Sequence, residues 1–284
     1  MLGPPSMLCI VEQKWGRRVP PTEDGRVGLT CQSILALILC LMSRYFCHEH
    51  PDVLILETRV VDARPGGVVL EQSPFHPGGG GQLADRGTLR WHGGEVRVTG
   101  IEAAGDGRYW HLLADGGELA GPLEARVEAG FRSMMAQLHT DTHILNALVF
   151  RHFQGALVTG AQLNEDGTAR MDFDLPDADN DRLRALEPEI NDVIRQDLPV
   201  RYAYVSEADA LAERGLIRNR SVAPPPTEDG TIRVVEIVGL DRQACGGTHL
   251  TSTAGSRPLR ILKIDNKGRH NRRIKIGLSG ESPR

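Results

Sequence analysis

The spacing of hydrophobic positions along the chain changes near residue 130. Between about 53 and 128, apolar and polar residues alternate in short runs that are separated by Pro-Gly-Gly, Gly-Gly and Gly-Asp-Gly turns. Alternation over such lengths predicts β-strands, and "VLILETRVVDARPGGVVLEQ" at 53–72 predicts the first two. A series of short strands with tight turns predicts a small barrel or sandwich.

After residue 130 the apolar positions follow a helical period. In "FRSMMAQLHTDTHILNALVFRHF" at 131–153, apolar residues recur at the spacing of a helix face, and His139 and His143 are expected at the border of that face. A second helix is predicted over 178–196, which opens with Asp and Asn capping residues. The remainder predicts a strand at 199–206, a short helix at 207–215, a strand at 231–240 and a closing hairpin at 257–278.

These patterns divide the 284-residue chain into three parts. Residues 43–130 predict the β-barrel, and residues 131–284 predict a domain with helices and an antiparallel sheet, so the fold class is α+β. Residues 1–42 show neither period, and we expect a poorly ordered extension with Met42 as an alternative start.

Composition and cysteine usage indicate a cytoplasmic protein. The five cysteines are scattered and odd in number, which does not indicate a disulfide framework. The one long apolar run, at 33–42, is too short to span a bilayer and lies too far from the start for a signal peptide. The net charge of −4 means that any nucleic-acid-binding surface has to be local.

Two histidine-containing motifs predict a metal site. "HTDTH" at 139–143 places His139 and His143 one helical turn apart, so their imidazoles can converge. "CGGTH" at 245–249 adds Cys245 and His249, and its two glycines are expected to let the backbone turn sharply. Three imidazoles and one thiolate form a soft set of ligands that suits Zn²⁺. The alternative is a buried cysteine and three solvated histidines.

A third motif, "SPFHPGGGGQLADRG" at 73–87, contains four consecutive glycines. Ordering such a loop is costly, which favours close approach of the backbone to a ligand such as a phosphate or sugar. Gln82 is a candidate for orienting that ligand together with Gly79, Gly80 and Gly81. A flexible hairpin loop is the simpler interpretation.

The C-terminal hairpin carries a local excess of positive charge. Between 256 and 276 eight basic residues accompany a single acid, Asp265. Such a patch suits phosphates, and the alternative is an ordinary solvated hairpin face. The basic residues are Arg257, Arg260, Lys263, Lys267, Arg269, Arg272, Arg273 and Lys275.

Taken together, the motifs resemble those of the free-standing alanyl-tRNA editing proteins of the AlaX family, over about 43–280. "FHPGGGGQ" resembles the family's Phe-Tyr-Pro-Glu-Gly-Gly-Gly-Gln motif, and "HTDTH" and "CGGTH" resemble its zinc motifs. "KGRHNRR" resembles the family's Lys-Gly-x-x-Asn-Arg-Arg ending. His76 stands where the family usually has tyrosine and Gly78 where it usually has glutamate, which puts the geometry of that loop in question.

The resemblance implies a hydrolase that removes wrongly attached serine or glycine from tRNA(Ala), with one Zn²⁺ per chain. It implies that His139, His143, Cys245 and His249 bind the zinc and that Gly79, Gly80, Gly81 and Gln82 form the glycine motif. Thr140, beside the first ligand, is a candidate near the aminoacyl group, while Lys267, Arg272 and Arg273 are candidates for contacts with tRNA. Whether the zinc is catalytic or structural is left open by the sequence.

Two other functions compete with editing. The first is a non-catalytic, zinc-stabilised module that binds tRNA. The second is a zinc peptidase or amidase, but its usual H-E-x-x-H motif carries a general-base glutamate that "HTDTH" lacks. The sequence contains no P-loop motif, so we expect no ATP-driven aminoacylation.

Overall fold

The computed structural model describes residues 44–104, 107–117, 119–176, 179–218, 227 and 229–280. The predicted N-terminal extension, 1–42, lies outside these residues. The described chain begins with one helical turn, α1 (Phe46–Glu49). Within the described part of the chain, no helix combines the length and apolar character needed to cross a membrane.

The first half is a closed six-stranded barrel with the strand order β1-β2-β5-β4-β3-β6. All neighbouring strands are antiparallel. Apolar side chains, among them Leu89, Val98 and Ala125, fill its interior. Along the strands they alternate with polar residues that point outward. The strands are β1 (Ile55–Arg64), β2 (Gly67–Leu70), β3 (Gly87–Trp91), β4 (Gly94–Ala103), β5 (Tyr109–Leu113) and β6 (Pro122–Val127).

A 24-residue helix, α2 (Ala129–His152), follows the barrel directly and carries the two histidines of the first motif. Every residue from Met135 to Val149 is buried. The expected border between a buried and an open face therefore does not exist here, since other elements cover the helix on all sides. Both histidines lie inside the protein, where polar groups need partners.

Helix α2 packs on a four-stranded antiparallel sheet and two shorter helices. The sheet order is β12-β13-β8-β7, so the predicted C-terminal hairpin is half of a larger sheet. The helix predicted over 178–196 is broken at Ala185. Pro188 has no N–H group and so cannot donate to the carbonyl oxygen of Arg184, as a continuous helix would require. The elements are β7 (Val158–Leu163), β8 (Thr168–Asp174), α3 (Asn180–Arg184), α4 (Leu186–Arg195), β12 (Leu259–Lys267) and β13 (Asn271–Leu278).

A second, three-stranded antiparallel sheet with the order β11-β10-β9 positions the second motif. Strand β11 ends one residue before Cys245, so the loop 245–249 begins where the sheet stops. A short 3₁₀ turn, Thr253–Gly255, leads from this loop to β12. The elements of this sheet are β9 (Val200–Ser206), the following helix α5 (Glu207–Ala212), β10 (Thr231–Ile237) and β11 (Asp241–Ala244). The architecture is thus mixed α+β with antiparallel sheets.

Candidate metal centre

Helix α2 and the loop after β11 bring the two sequence motifs together. The potential ligand atoms of His139, His143, Cys245 and His249 all lie within 4.8 Å of one another. The Cys245 sulfur is 3.3 Å from Nε2 of His139 and 3.3 Å from Nε2 of His249. In a tetrahedral zinc site the ligand atoms are roughly 3.5 Å apart. The residues therefore fit a zinc ion in both chemistry and spacing.

Each imidazole also has its second ring nitrogen next to a polar group from another part of the chain. Nδ1 of His139 donates to Oε1 of Gln82 at 2.8 Å. Nδ1 of His143 lies 3.4 Å from Oδ2 of Asp241, and Nδ1 of His249 lies 3.4 Å from the Thr140 hydroxyl. This arrangement directs Nε2 of His139 and of His249 towards the Cys245 sulfur, as expected for histidines that bind a metal.

Asp241 is itself held by buried and half-buried partners. Arg218 places Nη1 2.8 Å from Oδ1 of Asp241, and the Gln243 amide donates to Oδ2. Asn146 of α2 donates to Oε1 of Gln243 at 2.7 Å. A polar chain therefore runs from α2 through β11 back to His143, which fixes the carboxylate behind that imidazole.

The Cys245 thiol and the surrounding imidazoles shift one another's protonation. Burial opposes ionisation of the Cys245 thiol, but the three imidazoles outweigh it and hold the pKa of the thiol well below its usual value. Burial likewise opposes protonation of His143, but the Cys245 thiolate and Asp241 raise the pKa of His143 to about 9. Burial lowers the pKa of His249 well below its ordinary value. A buried thiolate with an acid behind one imidazole is an environment that attracts a metal cation.

Close packing rather than a turn explains why Gly247 is a glycine. Neither Gly246 nor Gly247 has a positive φ. A β-carbon on Gly247 would lie 2.0 Å from Cε1 of His139 and 2.9 Å from Oε1 of Gln82, whereas one on Gly246 would meet nothing within 4 Å. The loop therefore approaches α2 through a position that only glycine can occupy.

The glycine-rich loop folds as a tight turn that is exposed at Gly79 and Gly80 and buried at Gln82. Gly79 and Gln82 exchange two backbone hydrogen bonds of 3.0 Å around Gly80 and Gly81, both of which have positive φ. Gly79 and Gly80 are exposed, but a β-carbon on Gly81 would lie 2.6 Å from the carbonyl oxygen of Ala161. The close approach at Gly81 is to strand β7 of the chain itself, and the predicted approach of the loop to a ligand stays a prediction.

Gln82 is buried against the metal loop. Its Oε1 accepts from the backbone N–H of Thr248 at 2.9 Å and from His139, and its Nε2 donates to the Thr248 hydroxyl at 2.9 Å. Both polar atoms of the amide group are thereby hydrogen-bonded inside the protein. It connects the barrel to both metal motifs.

Several residues that sequence reasoning missed hold the backbone of the loop 245–249. Arg233 donates from Nη1 to the carbonyl oxygens of Cys245 and Gly247, at 2.9 and 3.0 Å. His48 and His76 each place Nε2 2.8 Å from the carbonyl oxygen of Gly246. In the sequence His76 stands out only as a departure from the family motif, and no motif marks Arg233 or His48, because their partners are backbone oxygens.

The remaining predicted residues occupy different environments. Thr140 is fully buried, and its hydroxyl also accepts from the backbone N–H of Leu250 at 3.1 Å. Lys267 is exposed at the end of β12. Arg272 is only 7% exposed, and Arg273 binds Asp172 of β8 through two nitrogens at 2.7 and 2.8 Å. Asp172, which lies outside the hairpin, thus adds negative charge that a count of acids within the hairpin omits.

Comparison with known proteins finds sequence relatives over most of the chain. Residues 232–275 match the family described as threonyl and alanyl tRNA synthetase second additional domain. The chain is 32% identical over 221 residues to the alanyl-tRNA editing protein AlaX-M of Saccharolobus solfataricus, which covers 77% of this chain and 91% of that protein. It is 35% identical over 220 residues to AlaX-M of Methanosarcina barkeri, covering 74% and 88%.

A larger enzyme also contains a matching region. The alanine–tRNA ligase of Korarchaeum cryptofilum is 32% identical over 221 residues, which is 76% of this chain but 24% of the ligase. The fold and the two paired motifs thus define a protein of the synthetase editing-domain class. Within that class, the chain belongs to the AlaX family of alanyl-tRNA editing proteins.

Proposed function

We propose that the protein is a zinc-dependent hydrolase that removes serine wrongly attached to tRNA(Ala), with glycyl-tRNA(Ala) as a second substrate. The observation that carries the proposal is the convergence of three imidazoles and one thiolate within 4.8 Å. This convergence occurs in a chain whose relatives at 32% and 35% identity are named alanyl-tRNA editing proteins. The substrate is an aminoacyl ester, which is already activated, so water can hydrolyse it without ATP.

Cys245, the one thiol among the four proposed ligands, would not be a free nucleophile at the centre. Cys245 would bind zinc as a thiolate and would then be unable to attack the ester. When bound, the zinc ion would supply a positive charge that polarises the ester or a water molecule, or would order the pocket if all four ligands stay attached. Asp241, Gln82 and Thr140 would orient the imidazoles for this purpose.

Thr140 would act on the aminoacyl end of the bound tRNA indirectly, by orienting the imidazole of His249. Its hydroxyl is buried and lies between the imidazole of His249 and the backbone N–H of Leu250. We therefore assign it an orienting role beside the substrate amino acid. Discrimination against alanine requires buried polar groups that the serine hydroxyl satisfies and a methyl group leaves unpaired.

The exposed parts of the glycine-rich loop and of the C-terminal hairpin are the proposed contacts with tRNA. Gly79 and Gly80 present backbone without side chains at the tip of the loop. Lys267 and Arg269 are exposed around the turn between β12 and β13. Arg272 and Arg273 would support that surface from below, since the first is buried and the second binds Asp172.

A deacylation assay tests the proposal. One tRNA(Ala) is charged with serine, glycine or alanine, and the rate of ester hydrolysis is measured for each form. We expect rapid loss of serine, loss of glycine and slow loss of alanine. Equal rates for serine and alanine would indicate a general deacylase instead.

Substitutions at the centre separate an enzyme from a binding module. Cys245→Ala should lose most zinc by elemental analysis and most hydrolysis. His152→Ala is the matched control, because His152 is an exposed histidine at the end of α2 that pairs with Glu189. Tight binding of tRNA without any hydrolysis by the wild type would support the non-catalytic, zinc-stabilised module.

A further inference from the structure

Two histidines from separate segments bind the same carbonyl oxygen. His48 lies in α1, and His76 precedes the glycine-rich turn. Both place Nε2 2.8 Å from the oxygen of Gly246, and both are buried, with 6% and 1% of their surface exposed. A carbonyl oxygen has two lone pairs and can accept both hydrogen bonds. The two imidazoles therefore fully occupy this oxygen.

The same peptide unit also contacts the metal ligand. Gly247 supplies the N–H of the peptide whose oxygen belongs to Gly246, and this N–H donates to the Cys245 sulfur at 3.4 Å. Hydrogen bonds to the oxygen of a peptide polarise it and strengthen the hydrogen bond that its N–H donates. The imidazoles and the sulfur are thus the two ends of one hydrogen-bonded chain.

The surroundings of His76 fix its tautomer. Its Nδ1 accepts from the backbone N–H of Gly78 at 3.1 Å, so the proton of the neutral ring is on Nε2. Burial lowers the pKa of His76 to about 4, which keeps the ring neutral near pH 7. Burial and the neighbouring Arg233 also lower the pKa of His48. Both rings are therefore N–H donors to an oxygen that can only accept.

The segment that carries His48 is held from two sides. The Tyr45 hydroxyl is hydrogen-bonded to the Tyr109 hydroxyl of the barrel. On the other side, the Tyr202 hydroxyl donates to the carbonyl oxygen of Glu49 at 3.1 Å. These contacts fix α1 between the barrel and the three-stranded sheet, so that the imidazole of His48 has a defined position.

We propose that His48 and His76 are positioning residues of the metal centre, which orient the Gly246–Gly247 peptide and through it the Cys245 sulfur. The inference rests on the zinc site of the proposed function. It extends the site to two residues whose ring hydrogen bonds go to the backbone and not to the side chains of the four proposed ligands. Removal of the two donors should weaken the N–H···S hydrogen bond and raise the energy of the sulfur electrons.

The test uses the full chain loaded with Co²⁺, whose thiolate-to-metal charge-transfer band reports on the sulfur. In the double variant His48→Leu/His76→Leu we expect this band at longer wavelength and zinc affinity about 10- to 100-fold lower. The variant His48→Gln/His76→Gln keeps an N–H donor on each side chain and should restore both. A structural role of the rings alone would not distinguish Leu from Gln in the spectrum.

Every outcome decides the proposal. A folded double Leu variant with the wild-type band and zinc affinity would overturn it. If that variant does not fold, single His48→Leu and His48→Gln variants replace it, and only the Leu variant should shift the band, by a smaller amount. An unmoved band in folded His48→Leu overturns the proposal. A wild type that binds no Co²⁺ overturns it together with the metal site, whereas failure to hydrolyse Ser-tRNA(Ala) affects the proposed function alone.

Discussion

Gly247 lies so close to the imidazole of His139 that a β-carbon on the glycine would be 2.0 Å from Cε1 of the ring. Gly247→Ala must therefore displace the ring or the loop, which carry ligands from both motifs. We expect zinc affinity to fall at least about tenfold, as for other disturbed metal surroundings. Competition with a chromophoric chelator measures this loss.

Gly246 provides the control for that experiment. A β-carbon there would meet nothing within 4 Å, and the residue has no positive φ. Gly246→Ala should therefore bind zinc as the wild type does. Equal losses in the two variants would contradict the explanation by close packing.

The amide of Gln82 should be needed for stability. Gln82→Leu leaves the N–H groups of His139 and Thr248 buried without their acceptor. An unsatisfied buried donor costs about 1–3 kcal/mol, so the free energy of unfolding should fall by at least that much. Chemical denaturation followed by circular dichroism measures it. The neighbouring Leu83→Ala is the control, because Leu83 is exposed, and an equal loss there would count against the hydrogen bonds.

A buried ion pair connects the first turn of the metal-bearing helix to the barrel. Nε of Arg132 donates to Asp85 at 2.9 Å, and Asp85 also accepts from the backbone N–H of His76 at 2.7 Å. Arg132→Met leaves the carboxylate buried without its cation, which typically costs about 3–5 kcal/mol. Thermal unfolding should show a large fall in Tm. Arg195→Met removes an exposed pair with Asp192 and should leave Tm nearly unchanged.

The sequence predicted most of the elements and the four residues that converge, because both depend on local patterns. Alternation gave the barrel strands, and the helical period gave α2 with His139 and His143 one turn apart. Cys245 and His249 could be predicted as their partners because few residue types bind zinc. The burial of both α2 histidines was predicted wrongly, since the elements that cover the helix come from distant parts of the chain.

The supporting residues could not be predicted, because their partners are not marked in the sequence. Arg233 and His48 bind backbone carbonyls, which every residue possesses. Asp241 acts through its position behind His143, across the packing of β11 on α2. The pairing of Arg273 with Asp172 depends on the register of β13 with β8. The spacing of basic residues along the chain does not predict that register.

Salt dependence should reveal which basic residues contact RNA. Lys267 ends β12 and Arg269 lies in the following turn, and both are exposed, so each can approach a phosphate. In Lys267→Gln/Arg269→Gln the slope of log affinity against log salt should fall by about 1–2, since each lost phosphate contact releases about one counterion fewer. Binding of tRNA(Ala) at several salt concentrations measures it. Arg260→Gln, which removes an exposed pair with Glu187, is the control, and an unchanged slope in the double variant would indicate a solvated face.

His111 should make the barrel sensitive to acid. Its Nδ1 donates to the carbonyl oxygen of Val68 at 3.3 Å, and its Nε2 is hydrogen-bonded to the Ser73 hydroxyl at 2.7 Å. Burial lowers the pKa of His111 from 6.5 to about 4. The unfolded chain therefore binds a proton at higher pH than the folded chain does. Stability that is present above pH 6.5 is lost as the pH falls towards 4.

The size of this effect follows from the pKa difference. A shift from 6.5 to about 4 corresponds to on the order of 3 kcal/mol between the two ends of that pH range. His111→Gln removes the titrating group and keeps a polar side chain. Urea unfolding of the zinc-free proteins at pH 7 and pH 4.5 should show a smaller acid loss for the variant than for the wild type. Equal losses would mean that other groups, such as the buried His48 and His76, account for the acid sensitivity.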